Sequence, residues 1–319
     1  MSVTLSVNEI SAQILAAFTQ ENPELFGPAG FTKDFRSDTA RLGDVITAHI
    51  AHVPTIQDYQ ANDGGFRHGA QSVQDLLEDV PVTINRLKHV PVKISYLTNL
   101  ATKGVDLYKA AVANIGFALG KHVIDTILQN AIATVSHSYQ TTLALTSVDS
   151  FEALRAQCNA QKMDPNSRFC FMNTPLASAL SSDDRTKSKL FYDQRQGDQG
   201  FRTFKNIAGF RYLREYTDFP SGSINLAGLA GDSRLACVSV RKIQNMNETA
   251  DALGIKKVMD FQSLRDADTG LELAFISWQE AGTGDVYLSS AILFGIHTGN
   301  AGGAAGTITD NAGCLIQTI

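Results

Sequence analysis

Apolar positions along this chain change their period several times, and each change marks an element. Val7, Ile10, Ile14 and Phe18 recur at helical spacing. Ahead of them, Ser6 and Glu9 fit a capping box, in which each side chain satisfies the other's free backbone N–H, and Leu5 with Ile10 fits a hydrophobic staple. The stretch ENPELFGPAGF then breaks any regular element with Pro23, Gly27, Pro28 and Gly30. One short amphipathic helix on an extended tether cannot bury its own apolar face. That face must lie on something else: the rest of the same subunit, a neighbouring copy, or a scaffolding partner.

From about Asp44 to Tyr96 the period becomes two, and the pattern predicts two long strands around a polar tip. Ile46, Ala48 and Ile50 share one face of the first; Val80, Val82, Ile84, Val90, Val92, Ile94 and Tyr96 share one face of the second. Between them lies DYQANDGGFRHGAQ. A two-stranded ribbon alone is marginal in water, and Pro81 and Pro91 deny this one some of its ladder donors, as on an edge. It too needs support from outside itself.

The period returns to 3.6 from about Val105 to Val135, where Tyr108, Val112, Ile115, Leu119, Val123, Ile127 and Ala131 keep one face apolar. A helix of that length spans about 45 Å, which predicts an elongated molecule. Gly116 and Gly120 in this run allow bending or close packing. Residues from about Val148 to Arg241 read as an α/β unit. A helix opens with Asp149 and Glu152 as a capping box and runs through Gln161; Asp164-Pro165-Asn166 is a turn; Phe169 to Met172 is a wholly apolar strand. Thr174 as N-cap and Pro175 at the first helical position start another helix. A polar excursion, SSDDRTKSKLFYDQRQGDQG, precedes a turn into a strand at Ile207 to Tyr212, and Leu235 to Val240 is a further buried strand. The strands LELAFISW and DVYLSSAILFGI follow, then a Gly-rich loop and a closing Cys314-Leu315-Ile316.

Composition narrows the function classes. Hydrophobic residues make up 44% of the 319 and charged residues 18%, a globular mix with little charge, as expected where partner subunits cover part of the surface. The net charge of −5 offers no basic balance of the kind a dedicated nucleic-acid binder carries. No run reaches the roughly 18 apolar residues of a membrane span, and the first residues lack a signal-peptide pattern, so a cytoplasm-like compartment is expected. Cys158, Cys170, Cys237 and Cys314 form no CxxC pair and read as small packing residues, with no structural zinc.

Catalytic constellations are not evident. His49 and His52 fall on opposite faces of a strand and cannot chelate one ion. His122 sits beside the apolar face of the long helix and reads as a satisfied, partly buried histidine. His297 and Cys314 make a dyad only on paper. The Gly-rich loop lacks the Lys-Ser/Thr and the helix of a phosphate loop, and the acidic pairs Asp183-Asp184 and Asp266 with Asp268 read as solvated loops. Arg86, Lys88 and Lys93 make the second ribbon strand basic, either solvated or paired with carboxylates of another subunit. We expect no enzyme activity, cofactor or metal.

This order of elements resembles the capsid fold of tailed phages, herpesvirus shells and encapsulin compartments, the HK-ninety-seven-like fold, an α+β class. The strand followed by Asn-x-Pro and a helix at Phe169 to Leu180, and the phrase NIAGFRYLREYTDFP, are similar to its axial-domain motifs; LELAFISW and DVYLSSAILFGIHTG resemble its return through a peripheral sheet. The resemblance divides the chain into an N-terminal arm (1–41), an extended loop with its flanks (42–100), a peripheral domain with a spine helix (101–147), an axial domain (148–241), a return through the peripheral domain (242–300) and a C-terminal segment rejoining the axial domain (301–319). It implies a tailed-phage major capsid protein that assembles through pentamers and hexamers into the icosahedral head around a double-stranded DNA genome. The implied location is the virion, with assembly in the host cytoplasm. The implied partners are other copies of itself, scaffolding, portal and decoration proteins, and packaged DNA contacted without specificity. The acidic balance would limit adhesion of the inner wall to that DNA. Under this reading Ile10, Ile14, Phe18, Phe66, Arg67, Arg86 and Lys88 are candidate assembly contacts. An encapsulin-type compartment is the nearest alternative, and a soluble α/β enzyme the alternative from another class.

Overall fold

The computed structural model describes residues 12–18, 32–51, 58–70, 77–94, 105–143, 146–183, 203–220, 225–244, 259–266, 270–279, 285–298 and 312–318. Residues 12–18 are helical (α1); α2 runs Val105–Thr134, α3 Val148–Ala160 and α4 Thr174–Ser182. The strands are β1 Thr32–Thr39, β2 Val45–Ala51, β3 Leu77–Thr83, β4 Arg86–Ile94, β5 Ser138–Thr141, β6 Phe169–Met172 and β7 Thr203–Ile207. They continue with β8 Phe210–Glu215, β9 Leu226–Gly231, β10 Ala236–Lys242, β11 Met259–Arg265, β12 Glu272–Gln279, β13 Val286–Thr298 and β14 Gly313–Thr318. The first sheet has the order β1-β10-β13-β12-β11, with β4 also paired to β13; the second has the order β5-β14-β9-β6-β8-β7; β2 and β3 form a separate ribbon. The fold is α+β. The expected capping box at Ser6 and Glu9, the staple at Leu5 and Ile10, the breaker stretch after α1, Tyr96 and the Gly-rich loop at 299–311 lie outside the described residues.

Helix α2 forms because its apolar positions repeat at helical spacing, and what it buries explains the architecture. Ile115, Leu119, Val123, Ile127 and Ala131 are all buried in one core. That core also takes Val238 and Val240 of β10, Phe275 of β12 and Leu288, Ile292 and Phe294 of β13 from the first sheet. From the second sheet it takes Phe169 and Phe171 of β6 and Leu229 of β9. One helix thus covers the inner faces of two sheets. The outer face of the second sheet is covered by α3 and α4, through Phe151, Leu154, Leu176 and Leu180 against Cys170, Met172 and Leu213. β6 is therefore buried on both faces, as its unbroken apolar run predicts.

The outer face of the first sheet is covered by the ribbon. Val80 and Val82 of β3 and Ala48 of β2 lie on Cys237, and Ile84 lies on Ala274, Ala291 and Leu293. The sequence pattern predicted one strand through Val92, but the chain breaks at Ile84 and Asn85. β3 stays with β2, while β4 leaves to pair with β13, Arg86 against Phe294 through Ile94 against Val286. The break has a packing cause. Val80, Val82 and Ile84 bury against the outer face of the first sheet, whereas Val90 and Val92 pack into the α2 core on its inner face. An unbroken strand could not deliver its two halves to opposite sides of one sheet.

Three further expectations change. Residues 32–39 are not tether: β1 joins the first sheet parallel to β10, Thr32 against Cys237. The strand at Leu235 to Val240 belongs to the first sheet, so the chain crosses between sheets after β9 rather than at Arg241. β5, expected with the long helix, lies in the second sheet beside β14. The helix caps also shift by a residue or more. Asn173, not Thr174, caps α4 by accepting the Leu176 N–H at 3.0 Å. The α3 N-cap is Ser147, whose N–H reaches Ser150 Oγ at 3.3 Å, while Glu152 pairs with Arg155 at 2.6 Å.

Helix α1 packs directly on α2. Ile14 and Phe18 are at most 1% exposed and Leu15 is buried with them. The close approach is made at Gly116, where a Cβ would stand 2.3 Å from the Ile14 carbonyl oxygen and 3.0 Å from the Ala17 Cβ. Helix propensity alone favours Ala over Gly by about 1 kcal/mol. Backbone overlap reverses the sign, and Gly116→Ala should destabilise the chain by about 1–3 kcal/mol, as overpacking does. Denaturant unfolding measures this, and a stabilised Gly116→Ala would show that α1 does not dock there.

Candidate assembly surfaces

The seven residues singled out from the sequence end up in different environments. Ile10 lies outside the described residues. Ile14 and Phe18 face inward and are covered by α2 of the same chain, so in this conformation they present no surface to a neighbour. Of the three possible covers for this helical face, the own subunit is the one found. The same holds for the ribbon, whose apolar side rests on the first sheet.

Phe66 and Arg67 differ. Residues 58–70 form a polar turn cluster in which Gln60 bridges Gly65, and the Gly65 N–H reaches Gln60 O at 2.8 Å. His68 Nδ1 stands 3.0 Å from Asp63 Oδ2. These bonds fix a small platform that holds Phe66 outward at 95% exposure. Its ring meets Tyr59 at 4.8 Å, tilted by 51°, and Tyr59 is itself 61% exposed. Arg67 is exposed beside them. Phe66 stands out in the sequence as the aromatic of the tip, but Tyr59 does not, because nothing in the spacing of seven residues through a glycine turn signals a ring contact. An exposed aromatic pair next to a permanent cation is a surface that gains on burial, about 2 kcal/mol for a covered Phe.

Arg86 and Lys88 lie on β4, with Val90 and Val92, on the side that faces α2. Arg86 Nη1 donates to Asn85 Oδ1 at 3.1 Å, and Lys88 is exposed. Lys93 points the other way, pairs with Asp285 at 2.7 Å and lies 5.6 Å from the Tyr287 ring centre. Its carboxylate partner is thus in its own chain. Tyr287 in turn stacks on Trp278 at 5.2 Å.

The residues weighed for catalysis do not converge. His297 pairs in register with Cys237 on the first sheet, while Cys314 sits on β14 in the second. All four cysteines are buried and free, and burial pushes Cys158 up to about 11 and Cys237 and Cys314 up to about 12, far from a reactive thiolate. Asp183 closes α4 and accepts the Val148 N–H at 2.8 Å. Asp184, Asp268 and His52 lie outside the described residues, as does the side chain of His49. Among the described residues no three His, Cys, Asp or Glu side chains are placed to hold a metal, and no helix is long and apolar enough to cross a membrane. An open groove of about 560 Å³ lies at the end of β1 and β10, lined by Arg41, Asp44, Lys242, Phe261 and Ser263 among others. Part of its charge is spent internally: Asp44 accepts the Arg41 N–H at 2.7 Å, and Lys242 stands 3.8 Å from Glu272.

Buried polar links hold the framework behind these surfaces. Arg241 Nη2 meets Asp34 Oδ2 at 2.5 Å and Nη1 meets the Asp34 carbonyl at 2.8 Å, fastening β1 to β10 across 207 residues of sequence. Asp232 is fully buried and accepts from the Asp164 N–H at 3.0 Å and from the Arg234 backbone and guanidinium. Tyr216 donates to Asp125 at 2.6 Å, and Lys121 pairs with Asp218, joining α2 to the end of β8. His122 Nε2 is buried with no hydrogen-bond partner among the described residues, contrary to the expectation of a satisfied histidine.

No family model matches the chain, and no curated protein matches it. Solved structures do. The capsid of Ralstonia phage GP4 superposes with a TM-score of 0.55 at 14% identity, over 93% of this chain and 87% of that one. The capsid of cyanophage P-SCSP1u gives 0.48 at 8% identity over 91% and 86%, and a virus-like particle from Pyrococcus furiosus 0.46 at 12% over 97% and 98%. The Ralstonia phage match shows that the chain has a phage-capsid-like fold along nearly its whole length.

The two kinds of surface give opposite expectations for stability. Arg241→Ala removes the buried guanidinium that fastens Asp34 of β1 to β10 and should cost about 3 kcal/mol. Phe66→Ala with Arg67→Ala should change subunit unfolding by no more than about 0.5 kcal/mol, as exposed positions do. Urea denaturation of the isolated chain distinguishes them, and a large loss in the tip variant would mean that the tip is part of the subunit core.

Proposed function

We propose that this chain is the major capsid protein of a tailed double-stranded DNA phage, a structural subunit rather than an enzyme. It assembles through pentamers and hexamers of itself into the icosahedral head. The observation that carries this reading is the fold shared with the Ralstonia phage GP4 capsid over 93% of the chain. In HK-ninety-seven-like terms, α2 and the first sheet are the peripheral domain with its spine helix. The second sheet with α3 and α4 is the axial domain, the β2–β3 ribbon with residues 58–70 is the extended loop, and the residues before β1 are the arm.

Within that assignment the exposed tip is the contact we expect between subunits. Phe66 and Tyr59 bury apolar area on a neighbour, and Arg67 meets a carboxylate there. Arg86 and Lys88 supply a second, polar contact on β4, and Ile10 one on the arm. Scaffolding, portal and decoration proteins and non-specifically contacted DNA complete the partners. The chain then belongs to the virion and is assembled in the host cytoplasm. Nothing observed favours the encapsulin-type compartment over this reading.

Expression of the full chain, with a scaffold supplied where needed, followed by electron microscopy and sedimentation, tests the proposal. Closed shells or capsomers are expected; a stable, monodisperse monomer at high concentration would overturn it. Phe66→Ala with Arg67→Ala should lower the denaturant concentration at which shells dissociate while isolated subunits unfold as the wild type does. Dissociation at the wild-type concentration would remove the tip from the contacts.

A further inference from the structure

One turn of α2 reaches into both sheets. Lys121 pairs with Asp218 and Asp125 accepts the Tyr216 hydroxyl, both on the second-sheet side. His122 between them turns to the first sheet, where its ring meets Phe294 of β13 edge-on at 6.4 Å. β4 closes the site. Its Val90 and Val92 enter the core that α2 helps to form, and by the same alternation Arg86 and Lys88 stand on the face of β4 turned to α2, where their positive charges oppose protonation of the imidazole. Asp125, three residues along α2, is the opposing carboxylate, and its Oδ1 already holds Tyr216 at 2.6 Å. β13 brings no charge to the ring, only Phe294. His122 Nε2 is buried and lacks a hydrogen-bond partner among the described residues.

We propose that His122 is an acid-sensitive latch between α2 and the β4 edge of the first sheet. Neutral, it lets the helix lie against β13 and β4; protonated, it opens that contact. An imidazolium has two N–H donors to satisfy. Here one nitrogen is buried without an acceptor, and the nearest side-chain charges on β4 repel the added proton. His122 is partly exposed, but its Nε2 is shut off from water, and that nitrogen gains an acceptor only if the contact between β4 and α2 opens. Burial first, then Lys88 and Arg86, hold the His122 pKa below the ordinary 6.5. The open state titrates near that ordinary value. The contact is therefore fully stable above about pH 6.5 and weakens as pH falls below it, until the closed state protonates too. Within that window each unit of pH raises the opening constant by up to about tenfold. The inference concerns the folded subunit and stands apart from its proposed role in a shell.

Amide hydrogen exchange of the full-length chain at pH 7.5 and 5.5, corrected for the intrinsic rates, reads the opening directly. In the wild type, β4 and the middle of α2 should exchange faster at the lower pH, with β6 and β9 unchanged. His122→Leu should remove the difference. Lys88→Gln, at an exposed position, should lessen it by relieving the repulsion. His89→Gln should leave it intact, since His89 lies on the opposite face of β4 with Nδ1 3.1 Å from Ser289 Oγ. A wild-type response in His122→Leu overturns the latch. Should that variant not fold, an unaltered response in Lys88→Gln overturns it equally. Sedimentation of the same samples reports assembly separately, so failure to form shells and failure of the latch are told apart.

Discussion

The structure depends on one strand being buried on both faces and paired on both edges. β13 runs thirteen residues, Val286–Thr298, and nearly all of its middle is inaccessible to water. Leu288, Ile292 and Phe294 face α2, while Ala291 and Leu293 face the ribbon. β12 and β10 pair along one edge and β4 along the other. A helix at the usual packing distance leaves room for Leu, Ile and Phe. The ribbon side is mixed: Leu293 packs with Ile84, but Ser289, Ala291 and Gly295 are small, and the two backbones come close at Gly295. A Cβ at Gly295 would come within 2.4 Å of the Thr83 carbonyl oxygen.

From that strand outward, α2 sets the relation between the two sheets. It contributes one stripe of side chains to a core that both sheets share, so neither sheet buries its inner face without it. Tyr216 to Asp125 and Lys121 to Asp218 tie the helix to the second sheet at the same level where His122 meets the first. A shared core of this kind is stiff where it is apolar, because close-packed side chains have few alternative arrangements. It is adjustable where polar groups can exchange a protein partner for water. The turn of α2 at 121–125 is such a place.

Much of this was legible in the sequence, and the limits have physical causes. The 3.6 period gave α2 within a residue of its end, and the unbroken apolar run of β6 announced a strand buried on both faces; the segment of β13 read as an alternating strand, yet it too is buried on both faces. Period-two patterning found β3 and β4 but not the break between them. Val80 to Val92 keep one parity throughout, and parity carries no information about which face of a distant sheet each half meets. The same blindness placed Leu235 to Val240 with the second sheet. β1 was missed because its partner strand is some 200 residues away and their parallel pairing leaves no local trace. Of the candidate site, the exposed Phe66 and Arg67 were legible from a glycine-rich tip. Tyr59 beside Phe66, and the meeting of His122 with Phe294, arise from tertiary contact and have no signature in the spacing.

The fate of Ile14 and Phe18 bears on how such a subunit would assemble. An apolar helix and an apolar ribbon face looked like orphans awaiting other copies, yet both are buried by their own chain. Covering them internally has a consequence for the order of events. A subunit that exposed both faces would carry large apolar patches and associate without specificity as soon as it was made. A subunit that covers them can stay dissolved and folded, and among the described residues small features such as the Tyr59–Phe66 pair remain for contact. Each such contact is weak by itself. Repeated around closed symmetry, weak contacts add to a stable whole while single errors remain easy to undo. In the proposed shell, therefore, stability comes from the number of copies of a modest contact, and the large apolar areas serve the fold of the subunit.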